Sequence, residues 1–194
     1  MRIQTANQLR GRAIGAIFFA CFGTGWIFLA LTAKELISPV TVSGTVAGMV
    51  VLLLAAAYLL RRAKLWPRVQ EDPSKDRARG RAFAWINAIQ WTAVAIVAFT
   101  FAKFHIDAYV ISAITAIVGL HMFPLARLFR YPLHNLTGGI LMAWAAASVA
   151  LVPVAEMQGT AAMGTGMILW ASAALTLAIA LRASQQPAAA QAVA

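Results

Sequence analysis

The sequence is short of charged residues and contains a single cysteine, and each shortage excludes a class of protein. Charged residues make up 11% of the 194 residues and hydrophobic residues 61%, a balance that no water-soluble domain of this size keeps in solution. Cys21 has no second cysteine with which to form an intrachain disulfide or a cysteine-based metal site. The composition therefore predicts a chain that folds in lipid.

Apolar sequence is abundant and is arranged in six long runs. Most are ~20 residues long, which gives ~30 Å as a helix and matches the hydrocarbon core of a bilayer. Because backbone amides cannot stay unpaired in lipid, and the runs are too long for barrel strands, each run is predicted to be a helix. We expect one all-α membrane domain over residues 1–184, a six-transmembrane-helix bundle with helices at about 13–33, 39–60, 82–102, 108–128, 135–152 and 161–181.

The charges that are present are mostly basic and lie on one side of the predicted bundle. Of the 16 Lys and Arg residues, only Lys34 and Lys103 fall in the gaps on the other side. Cytoplasmic loops retain Lys and Arg during insertion, so both the N and C termini are predicted to be cytoplasmic in a bacterial-type inner membrane. Topology thus explains the net charge of +10, and no nucleic-acid partner is expected.

Residues 61–81 form the one substantial polar segment, with eight basic and three acidic residues. This composition predicts a basic cytoplasmic loop without a core of its own. The loop either touches anionic membrane lipids, at ~1 kcal/mol per nearby basic residue, or serves only as a topology signal. The low-complexity tail, residues 185–194, is predicted to be disordered. The residues assigned to lipid-headgroup contact are Arg61, Arg62, Lys64, Arg68 and Arg130.

Small residues predict how the helices hold together, because lipid provides little hydrophobic drive and close backbone approach must replace it. We expect these residues to pack within the chain; the alternative is a homo-oligomer or contact with another membrane protein. Two Gly-Thr-Gly segments, residues 23–25 and 164–166, lie in helices of opposite direction and are interpreted as independent packing motifs. The other candidates are Gly44 and Gly48, Ala162 and Gly166, and Gly139, Ala143 and Ala147.

Four tryptophans, Trp26, Trp91, Trp144 and Trp170, lie deep in the apolar runs. Each buried indole N–H needs a hydrogen-bond acceptor. We expect backbone carbonyls to accept these bonds, in preference to tryptophans that line a cavity.

Uncharged polar residues gather in the half of the membrane nearer the predicted cytoplasmic side: Asn87, Gln90, His121, His134 and Asn135. No charged residue lies near the centre of a run, which argues against a pump driven by a buried carboxylate. The polar residues either line a vestibule open to the cytoplasm or form hydrogen bonds between helices, at ~0.6 kcal/mol each.

The vestibule interpretation assigns substrate contacts to His121, Asn87, Gln90 and His134, with Arg127 and Arg130 at the mouth. The i,i+3 spacing of Asn87 and Gln90 puts them on one helix face, which Trp91 is expected to share. Because the predicted cavity carries no charge in the membrane, we expect its ligand to be neutral or amphiphilic.

No arrangement of residues predicts catalysis, a metal or a cofactor. His121 is expected ~9 Å deeper in the membrane than the basic residues of the turn that carries His134, and no carboxylate stands nearby to complete a metal or haem site. No Ser or Cys lies in a Gly-x-Ser-x-Gly setting. We therefore predict a protein that is not an enzyme and has no cofactor.

The segment HMFPLARLFRYPLHN, residues 121–135, is predicted to form the cytoplasmic corner between helices 4 and 5. Pro124 has no amide hydrogen and is expected to kink or end helix 4. His134 and Asn135 are expected to cap helix 5.

Residues 119–139, GLHMFPLARLFRYPLHNLTGG, resemble a pattern found in small bacterial six-helix integral membrane proteins. In that pattern a histidine and an aromatic residue before Pro-Leu-Ala end one helix, and Thr-Gly opens the next. The resemblance covers about a tenth of the chain and implies no known activity.

Two functions fit the sequence. The first is binding or passage of a small neutral or amphiphilic molecule through the cytoplasm-facing cavity. The second is a non-transporting scaffold or accessory subunit that associates through small-residue helix faces.

Overall fold

The computed structural model describes residues 5–66 and 73–185. The described residues form six α-helices, and one short 3-10 helix, Asp107–Tyr109, precedes the fourth. The prediction of an all-helical, six-helix chain is therefore confirmed. The helices are α1 (Ala6–Ala33), α2 (Pro39–Ala63), α3 (Pro73–Lys103), α4 (Val110–Leu128), α5 (Leu133–Leu151) and α6 (Val154–Ser184).

Five of these helices are long and apolar enough to cross a membrane, with α4 counted together with its 3-10 turn. The exception is α5, because His134, Asn135 and Thr137 in its first turns lower its mean hydropathy. Repeated spans of this length identify a multi-pass membrane protein.

Three helices begin well before the apolar runs that predict them. α1 begins at Ala6, where the side chain of Thr5 accepts a hydrogen bond from the backbone N–H of Gln8 (3.3 Å). α3 begins at Pro73, so residues 73–81, assigned to the loop from sequence, form its first turns, while residues 67–72 and 186–194 lie outside the described residues. Hydropathy marks the stretch that suits lipid, whereas the helix itself continues until a cap or a turn stops it.

Ser38 and Pro39 start α2 as their order in the sequence indicates. Ser38 is the N-cap, and its hydroxyl accepts from the backbone N–H of Thr41 (3.2 Å). The Thr41 hydroxyl in turn accepts from the Ser38 backbone N–H (2.9 Å), which completes a capping box. Pro39 occupies the first helical position, where its missing amide hydrogen costs nothing.

Three helices end in a left-handed residue that is not glycine. Glu35, His105 and Arg130 have φ of 54°, 55° and 50°. After α4, the backbone N–H of Tyr131 donates to the carbonyl of Ala126 (2.9 Å), the bond that defines a Schellman motif. The motif turns the chain back toward the bundle, so that Tyr131 is buried.

The bundle is built around α1 and α6, which run antiparallel and share the most extensive contact. α2 packs on α1, and the α4–α5 pair packs on α6. α3 lies at the edge and packs mainly on α4 and the 3-10 turn. Within Pro73–Lys103, all of which the structure describes, no residue is buried.

Glycines set the closest approaches between helices. A Cβ on Gly166 would lie 2.7 Å from the carbonyl oxygen of Gly23, and a Cβ on Gly138 would lie 2.6 Å from that of Gly119. Both distances are too short for a methyl group, so glycine is what allows α1 to touch α6 and α4 to touch α5. The two Gly-Thr-Gly segments are therefore not independent motifs, because Gly23 and Gly166 face each other across one contact.

Hydroxyl groups provide most of the polar contacts between helices. Each bond joins two buried side chains of different helices and leaves neither hydroxyl unpaired in lipid. The hydrogen bonds between helices that the sequence suggests for Asn, Gln and His side chains are thus made by Ser and Thr. The pairs are Ser112 with Ser148 (2.8 Å), Thr115 with Thr165 (2.8 Å) and Thr137 with Ser172 (2.9 Å).

Candidate functional site

One end of the bundle collects most of the basic side chains, and we call it the basic end. It is formed where α1 and α3 begin, where α2 and α6 end, and at the α4–α5 corner. Three contacts bring these helix ends together: Arg62 with Ser184, Arg12 with Tyr131, and Phe83 with Phe129. Its described basic residues are Arg10, Arg12, Arg61, Arg62, Lys64, Lys75, Arg77, Arg79, Arg81, Arg127, Arg130 and Arg182.

Asn87 and Gln90 lie on the half-buried face of α3, as their spacing predicts. This face packs on α4, the principal neighbour of α3. The side-chain nitrogen of Asn87 donates to the carbonyl of Phe83 in the same helix (2.8 Å). Trp91 is 56% exposed, so the expectation that it shares this face is wrong.

His121 is half-buried in α4, and its Nδ1 lies 3.3 Å from the carbonyl oxygen of Val118. α4 continues past Pro124 to Leu128, the residue at which the sequence predicts its end, so of the two expectations for Pro124 the end of the helix is ruled out. Membrane helices tolerate an internal proline when neighbouring groups satisfy the freed carbonyl, and Pro124 itself faces outward.

The basic residues expected at the mouth and at the lipid headgroups mostly point outward. Arg127, Arg130, Arg61 and Lys64 are exposed at the basic end. The half-buried Arg62 donates from Nη2 to the carbonyl of Ser184 at the end of α6 (3.4 Å). This bond satisfies one of the free carbonyls at a helix C-terminus. Arg68 lies outside the described residues.

His134 does not cap α5, and neither does Asn135. The N-cap is Pro132, without a side-chain hydrogen bond, because the Schellman motif at Arg130 delivers the chain directly into the first turn of α5. The backbone N–H groups of His134 and Asn135 donate to the carbonyls of Tyr131 (3.1 Å) and Pro132 (2.9 Å). The expectation of side-chain caps is therefore wrong, and the His134 imidazole is free to point elsewhere.

The His134 imidazole points into the bundle between two aromatic rings. Its centroid lies 5.1 Å from that of Tyr131 and 5.6 Å from that of Phe19, both in edge-to-face geometry. Its Nδ1 is buried and has no hydrogen-bond partner within residues 5–66 and 73–185. Buried polar atoms are almost always paired, so this atom is exceptional.

Arg12 is the residue that sequence reasoning missed. It lies two turns inside α1, is only 9% exposed, and its guanidinium carbon sits 5.1 Å from the centroid of the Tyr131 ring. Its Nη1 is buried and donates to no partner in the part of the chain that the structure describes. The guanidinium lies over the ring of Tyr131, whose hydroxyl donates to Thr176 Oγ1 (3.2 Å).

A signal for Arg12 is present in the sequence. The buried residues of α1 recur every three or four positions, and Arg12 lies in step with Ala16, Phe19 and Gly23. Extending this face upstream of residue 13 places Arg12 inside the bundle. Hydropathy does not indicate that Arg12 is buried, because an arginine before an apolar run is ordinarily interpreted as a topology signal.

The opposite end of the bundle carries an open depression of about 620 Å³, lined in part by Lys34, Glu156 and Gln158. Gln158 donates from Nε2 to the carbonyl of Asp107 (2.9 Å), which links α6 to the 3-10 turn. Glu156 and Gln158 are exposed, so the depression has the character of outer surface.

The chemistry that the basic end offers is recognition of a charged or polar group. Two buried nitrogens, Arg12 Nη1 and His134 Nδ1, have no hydrogen-bond partner among the described residues, and both side chains contact Tyr131. Among the described residues, no group of three His, Cys, Asp or Glu side chains is placed to hold a metal ion. No protein-family model, curated protein or solved structure matches this chain.

Proposed function

We propose that this multi-pass protein lies in a bacterial-type inner membrane with both termini in the cytoplasm and binds a small amphiphilic molecule from the cytoplasmic leaflet. The orientation follows from the charge distribution, since Lys34 and Lys103 are the only Lys or Arg residues outside the basic end among those described. The polar headgroup of the molecule would contact Asn87, Gln90 and His121 between α3 and α4.

The observation that carries this proposal is the loose attachment of α3. A span with no buried residue that packs mainly on α4 and the 3-10 turn leaves the α3–α4 interface open to lipid at its edges. Polar groups there keep unused hydrogen-bonding capacity: Asn87 bonds only within its own helix, and Gln90 has no partner among the described residues. Unused polar groups within a membrane span usually mark a ligand or ion path.

The groove at α3 and α4 is suited to an uncharged headgroup. Asn87, Gln90 and His121 offer donors and acceptors without a fixed charge, and Arg127 stands exposed beyond them. Because α3 lies at the edge of the bundle, a molecule with an apolar tail would reach the α3–α4 interface without leaving the membrane.

The double variant Gln90→Leu/His121→Ala is expected to bind a fluorescent diacylglycerol about tenfold more weakly than the wild type in dodecyl maltoside micelles. Loss of one or two hydrogen bonds, at about 1 kcal/mol each, accounts for a change of that size. The measurement is a fluorescence titration of the full-length chain. Gln158→Leu, the same change at the opposite end, is the matched control and should bind as the wild type does. Equal affinity in the double variant would remove this groove as the binding site.

A second candidate function, a non-transporting scaffold or accessory subunit, is favoured by small residues that the fold leaves unused. Gly139 and Ala143 face outward on α5, and a Cβ on Gly139 or on Gly44 would meet no atom within 4 Å. If this face binds a second copy or another membrane protein, Gly139→Leu should shift the complex to a lower mass in blue-native electrophoresis. Migration of the wild type as a lone monomer in mild detergent would count against this function.

A further inference from the structure

We propose that Arg12 and His134 together bind a phosphate group at the basic end, carried by an anionic lipid headgroup or supplied as free phosphate. The proposal concerns residues other than the α3–α4 groove and does not depend on it. Within the described residues, Arg12 Nη1 and His134 Nδ1 are buried and have no hydrogen-bond partner, and both side chains contact the ring of Tyr131.

The first step of the argument is that Arg12 stays charged. A guanidinium cannot be deprotonated in a protein, so burial leaves its positive charge in place. The side chain is 9% exposed and its Nη1 is enclosed, yet no described residue accepts a hydrogen bond from Nη1. An uncompensated buried charge is strongly destabilising, and proteins retain one when a partner from outside completes it.

The second step is that the described acidic residues lie elsewhere. Glu35, Asp107 and Glu156 are at the opposite end of the bundle, and Asp76 pairs with Arg79 in the first turns of α3 (3.6 Å). Tyr131 offers Arg12 only the face of its ring. A cation–π contact is weaker than an ion pair and leaves the N–H groups of the guanidinium without acceptors.

The third step concerns the shape of the ligand. Arg12 presents a planar fork of N–H donors, and His134 adds an N–H when its Nδ1 carries the proton. Both groups contact Tyr131, whose position is fixed by the Schellman motif and by its bond to Thr176 (3.2 Å). Donors on two side chains that contact the same ring suit a phosphate, which has several acceptor oxygens and pairs with arginine through two parallel bonds.

The fourth step is access. Arg12 lies near the start of α1, at the basic end, where the predicted orientation puts lipid phosphates at the same depth. The remaining exposure of Arg12 leaves an edge of the side chain at the surface of the basic end. That edge is where a phosphate would approach the guanidinium.

The test measures the thermal unfolding midpoint of the full-length protein in dodecyl maltoside, which contains no phosphate. A ligand that binds the folded state raises this midpoint. Phosphatidylglycerol is compared with diacylglycerol, which has the same chains without the phosphate. Phosphatidylglycerol is expected to raise the midpoint more than diacylglycerol does, and by the same amount in the wild type and in Arg10→Gln. Arg12→Gln should bind phosphatidylglycerol at least about tenfold more weakly and lose most of this difference.

A second arm distinguishes the two sources of phosphate. If inorganic phosphate in place of sodium chloride raises the midpoint of the wild type and of Arg10→Gln, but not of Arg12→Gln, the site takes free phosphate. If only phosphatidylglycerol does so, the site belongs to a lipid headgroup. Equal rises in Arg10→Gln and Arg12→Gln, or no rise in the wild type from either compound, would overturn the proposal.

A third comparison separates loss of binding from loss of folding. Arg12→Met keeps the length of the side chain without its charge, so it should raise the midpoint in phosphate-free dodecyl maltoside and gain nothing from phosphatidylglycerol. A midpoint below that of the wild type in detergent alone would show that Arg12 already has a partner within the chain and would contradict the proposal. Gln90→Leu/His121→Ala should keep the full rise of the midpoint with phosphatidylglycerol. The phosphate site is therefore tested separately from the proposed binding between α3 and α4.

Discussion

Trp170→Ala is expected to lower the free energy of unfolding by about 3 kcal/mol, near the usual cost of truncating a packed tryptophan. The Trp170 ring fills the space in front of Gly23 in α1 and Gly48 in α2, so one side chain of α6 joins three helices. Its indole nitrogen donates to the carbonyl of Ala20 (3.1 Å) and to Thr24 Oγ1 (3.2 Å). In lipid, where the hydrophobic drive between helices is small, the lost packing and hydrogen bonds account for the effect.

The measurement for Trp170→Ala is a titration with sodium dodecyl sulfate followed by circular dichroism, which does not depend on the removed fluorophore. Trp91→Ala is the matched control, since Trp91 is 56% exposed and should cost less than about 0.5 kcal/mol. A similar loss for both tryptophans would mean that the effect comes from membrane-facing surface and not from the junction of three helices.

The sequence predicts those parts of the fold that depend on local pattern. Ser38 and Pro39 start a helix because a hydroxyl cap and a missing amide hydrogen act within a single turn. Trp144 and Trp170 donate to backbone carbonyls, as the need of a buried indole predicts, and the Trp144 bond goes to Ala161 in α6 (3.1 Å). In each case the requirement belongs to the residue itself, so the partner need not be known in advance.

The candidate site was harder to predict, because its residues are defined by their partners. Arg12 and Arg10 look alike in the sequence, and only the packing of α1 on α6 and the α4–α5 corner buries one and exposes the other. The left-handed turn at Arg130 folds Tyr131 under the guanidinium, a contact that no local sequence pattern indicates. Helical spacing predicts that Asn87 and Gln90 share the half-buried face of α3, whereas Trp91, placed on that face by the same argument, is exposed.

The two ends of the bundle also differ in what their charges do. At the opposite end, the aliphatic stem of the half-buried Lys34 lies across Gly159, within 2.7 Å of where a Cβ would stand. Arg12 instead lies two turns from the start of α1 and faces inward, so its guanidinium is buried with the rest of the side chain. This contrast explains why we propose a ligand for Arg12, whereas Lys34 contributes packing.

Gly138→Ala is expected to destabilise the bundle by about 1–3 kcal/mol, the usual range for overpacking. The added methyl would lie 2.6 Å from the carbonyl oxygen of Gly119 and 3.0 Å from Cβ of Met122. The nearer of these atoms is backbone, which no rotamer change can move, so α4 and α5 must separate. The measurement is again the free energy of unfolding in sodium dodecyl sulfate.

Gly139→Ala supplies the control at the adjacent position, where an added methyl meets no atom within 4 Å. Alanine favours a helix over glycine by up to ~1 kcal/mol, so this variant should be neutral or more stable than the wild type. The two changes are chemically identical. The free energy of unfolding falls for Gly138→Ala and not for Gly139→Ala only if α4 and α5 cross at Gly119 and Gly138. Because that crossing holds the corner that carries Tyr131 and His134, Gly138→Ala should also weaken phosphatidylglycerol binding, while Gly139→Ala should leave it unchanged. Equal stability of the two variants would contradict the close crossing of α4 and α5.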